Sequence, residues 1–296
     1  LIFCINLIFL IKIVYLLIDI VLLLAAVFYS LFRYKKVVGI GWSTKNNEKT
    51  ILLASGPSLK VDIEKVLNES IKSEVYVLNY FAATEYFRQI KPENYVLTDR
   101  IFWSKNTTEN FKKDNQKLFE YLDEVNWKMN VICPSRGYKW ISERLASNEF
   151  IKVLKVNSVN IEFKTEFINL FALNRNIITP HFINGFVMVL WHAIYKNRPD
   201  IEIYGADFSL FKEYFVDQKT NELFNSAPHF YENSKALDDV TNKYPDEPKK
   251  MLHQRLFQQW SSFYQMYLLS KVAKLKNIKV TNLSSNSFLD CFDRSK

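Results

Sequence analysis

The chain has 296 residues, 48% of them hydrophobic, with 39 Lys and Arg against 31 Asp and Glu and a formal net charge of +8. That length holds one large domain or two small ones with a real core. The apolar fraction and an aromatic content of 16% exclude a disordered chain, and 6 Gly and 8 Pro exclude a collagen-like or low-complexity one.

The apolar residues are unevenly spread. Residues 1–32 hold 28 apolar side chains, and their only charges are Lys12 and Asp19. The 20 positions from Ile13 to Phe32 are enough to cross a hydrocarbon core of about 30 Å as a helix. With Leu1–Ile11 added, the helix reaches about 48 Å, too long to stand upright, so it tilts or its first turns lie along the interface. Lys12 and Asp19 are seven apart and share one helical face. Asp19 costs a few kcal/mol near the bilayer centre unless it is paired or turned to protein. No basic start and no small-x-small cleavage site precede the basic run, which argues for an anchor rather than a cleaved signal peptide. Arg33, Lys35 and Lys36 follow directly. By the positive-inside rule they hold the C-terminal side on the cytoplasmic face of the inner membrane, as a single-pass or monotopic anchor. They also suit anionic headgroups, or serve only as a stop signal. The expected organisation is an anchor over 1–36, a linker over 37–49 and one domain over 50–296.

Thr50–Ser55 reads as a buried strand ending in Gly56-Pro57-Ser58, and Asp62–Ile71 has helical spacing. Glu74–Asn79 is a second strand, Ala82–Ile90 a short helix and Asn94–Thr98 a third strand. Phe111–Val125 reads as a helix, Lys128–Cys133 as a strand, Lys139–Leu145 as a helix and Phe150–Val156 as a strand. Asn184–Tyr195 is an apolar helix before strand Ile201–Tyr204. Leu252–Leu275 is a long helix and Ile278–Leu283 a final strand. Alternation of this kind predicts an α/β fold: a Rossmann-like parallel sheet flanked by helices. The interval Ser209–Glu247 is polar and turn-rich without a period, as expected of a lid.

In open α/β sheets ligands sit beyond the carboxyl ends of the strands. Ser55, Gly56, Pro57 and Ser58 occupy such a turn: glycine admits close backbone approach, and helix N-terminal N–H groups bind anions, although Ser58 also suits a plain cap. The turn is neither a Walker A loop nor GxGxxG. Asn79, Asp99 with Arg100, and Asp207 after Gly205-Ala206 are polar groups on the same rim. His229, in Pro228-His229-Phe230-Tyr231, is a candidate general base because its ordinary pKa lies near 6.5. Tyr214 suits donation to a phosphate, or plain loop packing. His192 reads as a core residue, His253 as surface, and His181 as either. No histidine pair has metal-ligand spacing and no HExxH or DxD occurs, so no protein-bound metal is expected. Cys4, Cys133 and Cys291 are odd in number and far apart, which fits a reducing compartment without a disulfide framework. The basic pI of about 9.1 comes without a recognition motif, so nucleic acid is not the expected partner.

These pieces occur in an order that resembles the bacterial sialyltransferases of glycosyltransferase family 42, the lipooligosaccharide α-2,3-sialyltransferases. The anchors are ASGPSLK at 54–60, Asn79, EIYGADF at 202–208, YFVDQK at 214–219, PHFYENSK at 228–235 and LSSNSFLDCF at 283–292. The resemblance implies an inverting, metal-independent glycosyltransferase. Its donor is a CMP-activated sialic acid or related nonulosonic acid, which is a co-substrate, so no cofactor is needed. It acts on a glycan or glycolipid acceptor of the lipopolysaccharide class. It implies His229 as the base, Tyr214 against the departing phosphate, and nucleotide contacts from the glycine turn and Asn79. Homo-oligomers are known in the family. The chain departs from the pattern at Ser55 and Asp99, which stand where the family has Asn, and at Ser209, where it has Tyr. The family's donor-binding Arg segment is matched only by His181-Phe182-Ile183-Asn184-Gly185. An ionised Asp99 repels an anionic donor unless protonated or paired. The glycine turn also resembles archaeal-type pterin pyrophosphokinases, which use ATP and Mg²⁺. A third expectation is an inactive CMP-binding membrane protein.

Overall fold

The computed structural model describes residues 2–33, 38–39, 41–42, 49–225 and 244–294. A long helix, α1 (Ile2–Arg33), precedes the domain. Then follow β1 (Lys49–Leu53), α2 (Leu59–Ser70), β2 (Glu74–Leu78), α3 (Tyr86–Ile90), β3 (Asn94–Val96), α4 (Glu109–Asp123), β4 (Met129–Pro134), α5 (Ser135–Arg144) and β5 (Ile151–Val156). The second half comprises α6 (Glu166–Asn174), α7 (Gly185–Tyr195), β6 (Asp200–Tyr204), β7 (Tyr214–Val216), β8 (Leu223–Asn225), α8 (Leu252–Leu275) and β9 (Lys279–Asn282).

Seven strands form one parallel sheet in the order β5-β4-β3-β2-β1-β6-β9. The expected α/β sheet is therefore what the chain forms. The inner strands are buried on both faces because each supplies side chains to two cores in alternation. Along β1 and the residue after it, Ile51 and Leu53 enter the core under α2, α3, α4 and α5, while Leu52 and Ala54 enter the one under α6, α7 and α8. Chain order reverses at β1, whose neighbours are β2 and β6. That reversal leaves a crevice at the carboxyl ends of β1 and β6.

Several boundaries differ from the sequence reading. The single helix expected over Ala82–Ile90 is a 3₁₀ turn, Asn79–Ala83, followed by α3. Between them the Thr84 backbone is extended and its hydroxyl donates to the Phe81 carbonyl, which supplies a local alternative to helix. Helix α5 starts at Ser135 rather than Lys139, because Gly137 lets its first turn lie flat against the Trp103 ring. Helix α6 was not foreseen, and the irregular stretch contains the β7–β8 hairpin. The residues read as linker include a segment bound to the sheet edge: Val38 bridges Val156, and the Trp42 N–H donates to Asn130 Oδ1 at 2.7 Å.

The amino ends of the strands are tied by a buried polar chain. Glu74 pairs with Arg198 at 2.5 Å and accepts from Asn94 Nδ2 at 2.8 Å; Asn130 Nδ2 donates to Asn94 Oδ1 at 3.2 Å. His192 is buried on α7 and lies 3.1 Å from the Tyr76 hydroxyl. Burial lowers its pKa to about 3, so it is a neutral core residue.

Candidate functional site

The crevice is built by backbone crossing. The Ala54 N–H donates to the Tyr204 carbonyl at 2.9 Å and the Gly56 N–H to the Gly205 carbonyl at 2.8 Å, so the turn after β1 continues the β1–β6 ladder past the strands. A Cβ on Gly56 would stand 2.5 Å from Gly205 O and 2.6 Å from Asp207 Cγ, which only glycine avoids. Gly205 adopts φ +66°, the left-handed region open to glycine.

Asp207 lies under this turn. Both of its oxygens face Ser58: the Ser58 N–H donates to one at 3.0 Å and the Ser58 hydroxyl donates to the other. Its pKa is raised by burial, against the two Ser58 bonds. The carboxylate thus caps the N-terminus of α2, a placement the helix dipole favours. The C-terminal NS segment braces the same loop. The Ser284 hydroxyl accepts from the Ala206 N–H at 2.9 Å, Ser287 Oγ donates to the Ala206 carbonyl at 2.5 Å, and Ser285 binds Asp62 on α2.

Asn79 stands at the carboxyl end of β2 with φ +54°. Its amide oxygen is buried and has no hydrogen-bond partner. Gly185 lies directly above: a Cβ there would meet Leu78 Cδ1 at 2.7 Å, Thr98 Oγ1 at 3.1 Å and Asn79 Oδ1 at 3.5 Å. Asn184 is the N-cap of α7, its Oδ1 accepting from the Val187 N–H at 3.0 Å. The Asn184-Gly185 turn therefore presents a helix N-terminus over Asn79 and the end of β3.

Asp99 caps the turn after β3, accepting from the Ile101 N–H at 3.2 Å, and accepts a second bond from the Tyr244 hydroxyl at 2.8 Å. Burial is the first cause that raises the Tyr244 pKa, with Asp99 second. The Arg100 guanidinium stacks 3.9 Å over the Tyr244 ring and pairs with Glu247 at 2.5 Å. From the sequence, the cation expected to neutralise Asp99 is its neighbour Arg100. In the fold its partner across the chain is Tyr244, and Arg100 holds the strap that carries Tyr244.

Tyr214 lies on β7, half-buried, and its hydroxyl accepts from Gln259 Nε2 of α8 at 3.2 Å. Its pKa is raised, first by burial, against the pull of Arg255. Arg255 is also half-buried, and burial lowers its pKa. Sequence reading passed over Arg255 and Gln259, which lie on a helix recognised only by its length; the signal that finds them is the contact with Tyr214. Beside them opens a cleft of about 330 Å³ lined by Phe211, Gln259, Trp260, Phe263, Phe288 and Asp290, among others. A run of ring contacts leads from Phe186, next to Gly185, through Phe208 and Phe263 to Phe211 at this cleft.

The structure thus gathers Ser55, Gly56, Pro57, Ser58, Gly205 and Asp207 at one turn, and Asn79, Asp99, Asn184 and Gly185 at the ends of β2 and β3. His229 lies outside the described residues. Among the described residues no three His, Cys, Asp or Glu side chains group so as to hold a metal ion. Cys133 and Cys291 are free thiols, each pushed up to about 12, first by burial.

No protein-family model and no curated protein matches this chain. Among solved structures, MAf glycosyltransferase from Magnetospirillum magneticum AMB-1 is similar with a TM-score of 0.46 and 10% identity, over 92% of this chain and 37% of that one. The chain thus spans little more than a third of that protein's length.

Proposed function

We propose that the chain is a membrane-associated, inverting glycosyltransferase. It transfers a sugar, of the sialic or related nonulosonic acid class, from a CMP-sugar to a surface-glycan acceptor. The observation that carries this reading is the orphaned amide oxygen of Asn79, buried at the carboxyl end of β2 beside Gly185. A buried acceptor without a donor costs about 1–3 kcal/mol, and a ligand N–H such as the exocyclic amine of a cytosine repays it. The Gly56 turn and the Asn184-Gly185 helix N-terminus suit the anionic part of the same ligand.

In this mechanism the phosphate leaves as the anomeric carbon gains oxocarbenium character, and it needs hydrogen-bond donors where charge develops. Tyr214 and the neighbouring Arg255 supply a hydroxyl and a cation. His229 takes the proton of the acceptor hydroxyl. The aromatic cleft with Gln259 and Asp290 suits an acceptor sugar, whose C–H face packs on rings while its hydroxyls bond to amide and carboxylate. The partners of Asp99 and Asp207 favour this reading over an ATP- and Mg²⁺-dependent pyrophosphokinase, since Tyr244 and Ser58 already occupy those carboxylates.

The test is a screen of CMP-sugars for acceptor-dependent CMP release, with and without chelator. Turnover that survives chelation is expected. No release from any CMP-sugar with glycan acceptors present would sink the reading, and activity restored only by ATP and Mg²⁺ would favour the pyrophosphokinase. His229→Ala is expected to abolish transfer and keep CMP binding; retained transfer removes His229 from the base role.

A further inference from the structure

Leu10–Ser30 of α1 is long and apolar enough to cross a membrane by length and composition. Its contacts with the domain argue for another placement. Asp19, near the middle of that stretch, is 0% exposed, and its two oxygens accept from the Lys164 N–H at 3.0 Å and the Thr165 N–H at 2.6 Å. Those two groups lead into α6, so the carboxylate of one helix caps the other. One turn and two turns further on, Leu23 and Ala26 pack into the core cluster that contains Ile168 and Ala172 of α6. Lys12, Asp19 and Ser30 fall on this same line of the helix. The opposite line, Leu10, Val14, Leu17, Val21, Leu24 and Phe28, is the most exposed, with Val21 at 66%, and the flanks, with Ile11, Tyr15, Ile18 and Ile20, are apolar and exposed as well.

A helix crossing the bilayer upright would carry Asp19 to mid-depth and draw in the segment bound to it. That segment includes the exposed Glu162, Lys164 and Glu166, each of which costs several kcal/mol in hydrocarbon. A helix tied along one side to a domain with charged surface, and apolar over the rest, meets lipid without burying those charges when it lies in the interface plane. The surface continues from the docking point. Phe167 and Phe171 are exposed on α6. The Tyr267 hydroxyl of α8 donates to Glu166 Oε1 at 3.0 Å. From Tyr267 a stacked ladder runs through Tyr264 and Trp260 to Phe257, with centroid spacings of 6.3, 5.3 and 5.6 Å. Arg175 sits over Phe171 and Lys271 over Tyr267. Amphipathic rings with adjacent cations are what the headgroup layer selects. Trp260 also lines the 330 Å³ cleft.

We propose that α1 does not span the bilayer but lies in its surface. In this placement α1 is clamped to the domain through Asp19, and the α6–α8 aromatic strip rests in the same headgroup layer, so that the cleft opens at the lipid surface. The inference stands on α1, α6 and α8 alone and survives any outcome at the nucleotide rim.

The experiment places one nitroxide at a time at Leu10, Val14, Leu17, Val21, Leu24 and Phe28 through cysteine substitution. The 296-residue chain carries Cys4, Cys133 and Cys291 replaced by alanine and is bound to phosphatidylcholine–phosphatidylglycerol vesicles. Relative accessibility to oxygen and to a water-soluble nickel chelate reports depth. Six equal depths near the acyl–headgroup boundary are expected. A maximum at Leu17 and Val21 with shallow ends, or a steady gradient from Leu10 to Phe28, overturns the proposal. Labels at Phe167 and Phe257 are expected to lose chelate accessibility when vesicles are added; full retention contradicts contact of the strip with lipid. Thermal unfolding of each labelled protein, with a midpoint unchanged by these exposed substitutions, confirms that a fold is being read.

Discussion

The two ends of the parallel sheet are both polar, and they are built differently. At the amino ends, Glu74, Asn94, Asn130 and Arg198 are buried or nearly so and bonded to one another, out to the Trp42 backbone, while the Thr50 hydroxyl beside Glu74 is buried without a partner. At the carboxyl ends, the Asn79 amide oxygen is buried with no partner, and Gly56 and Gly185 leave no room for a Cβ. A satisfied buried network stabilises and specifies a fold. An unsatisfied atom lowers stability and is kept where something else supplies the missing bond. At the carboxyl ends the orphan atom is joined by backbone too close for a Cβ, and on that combination the proposed nucleotide site rests.

The largest expected effect breaks the satisfied end. Glu74→Ala strips Arg198 and Asn94 of their buried partner and is expected to cost about 3–5 kcal/mol in denaturant unfolding. The matching change at the other end is Asn79→Gly. Glycine accepts the +54° φ and removes the orphan oxygen. Unfolding stability is therefore expected to hold or rise, while CMP affinity falls by about tenfold or more, the worth of one buried bond. Equal stability losses from the two substitutions would erase the distinction.

A change in pH probes the core between the two ends. His192 has its pKa lowered to about 3, first by burial, against about 6.5 unfolded. Below pH 6.5 the unfolded chain binds a proton that the folded chain refuses. Stability is therefore full above pH 6.5 and falls as pH drops toward 3, by about 2 kcal/mol between pH 7 and 5. His192→Gln keeps a polar partner for Tyr76 and is expected to flatten that part of the profile in thermal melts at several pH values.

The smallest effect concerns the strap. Tyr244→Phe removes the hydroxyl that holds Asp99 and is expected to cost about 1 kcal/mol or less. The freed carboxylate then weakens CMP binding in a salt-dependent way. Adding Asp99→Asn is expected to restore affinity; an unaltered affinity in Tyr244→Phe would place Asp99 away from the nucleotide.

The sheet was legible in the sequence because each buried strand, such as TILLAS or EVYVLN, is a short apolar run ended by a turn residue. The rim followed, since Gly56, Asn79, Asp99 and Gly205 each sit directly after such a run. Contacts between distant segments were not legible. Nothing local to Tyr244 points to Asp99, 145 residues earlier, and nothing local to Asp19 points to Thr165. Helix α6 escaped because its short FINLF run is apolar nearly throughout and has no period of its own; it is a helix because Asp19 caps it and Ile168 and Ala172 pack beneath the sheet. Asp207 shows a further contact that was not legible: it was expected on the ligand rim, and in the fold the Ser58 N–H and hydroxyl, 149 residues earlier, bond its two oxygens.

The most direct measurement is a calorimetric titration of CMP into the wild-type chain and into Asn79→Gly, run beside their unfolding curves. Saturable CMP binding by the wild type, weakened about tenfold or more in a variant of equal or greater stability, is the predicted result. No CMP binding by a folded wild type, or the same affinity in both proteins, would contradict the assignment of the open end of the sheet to a cytidine nucleotide.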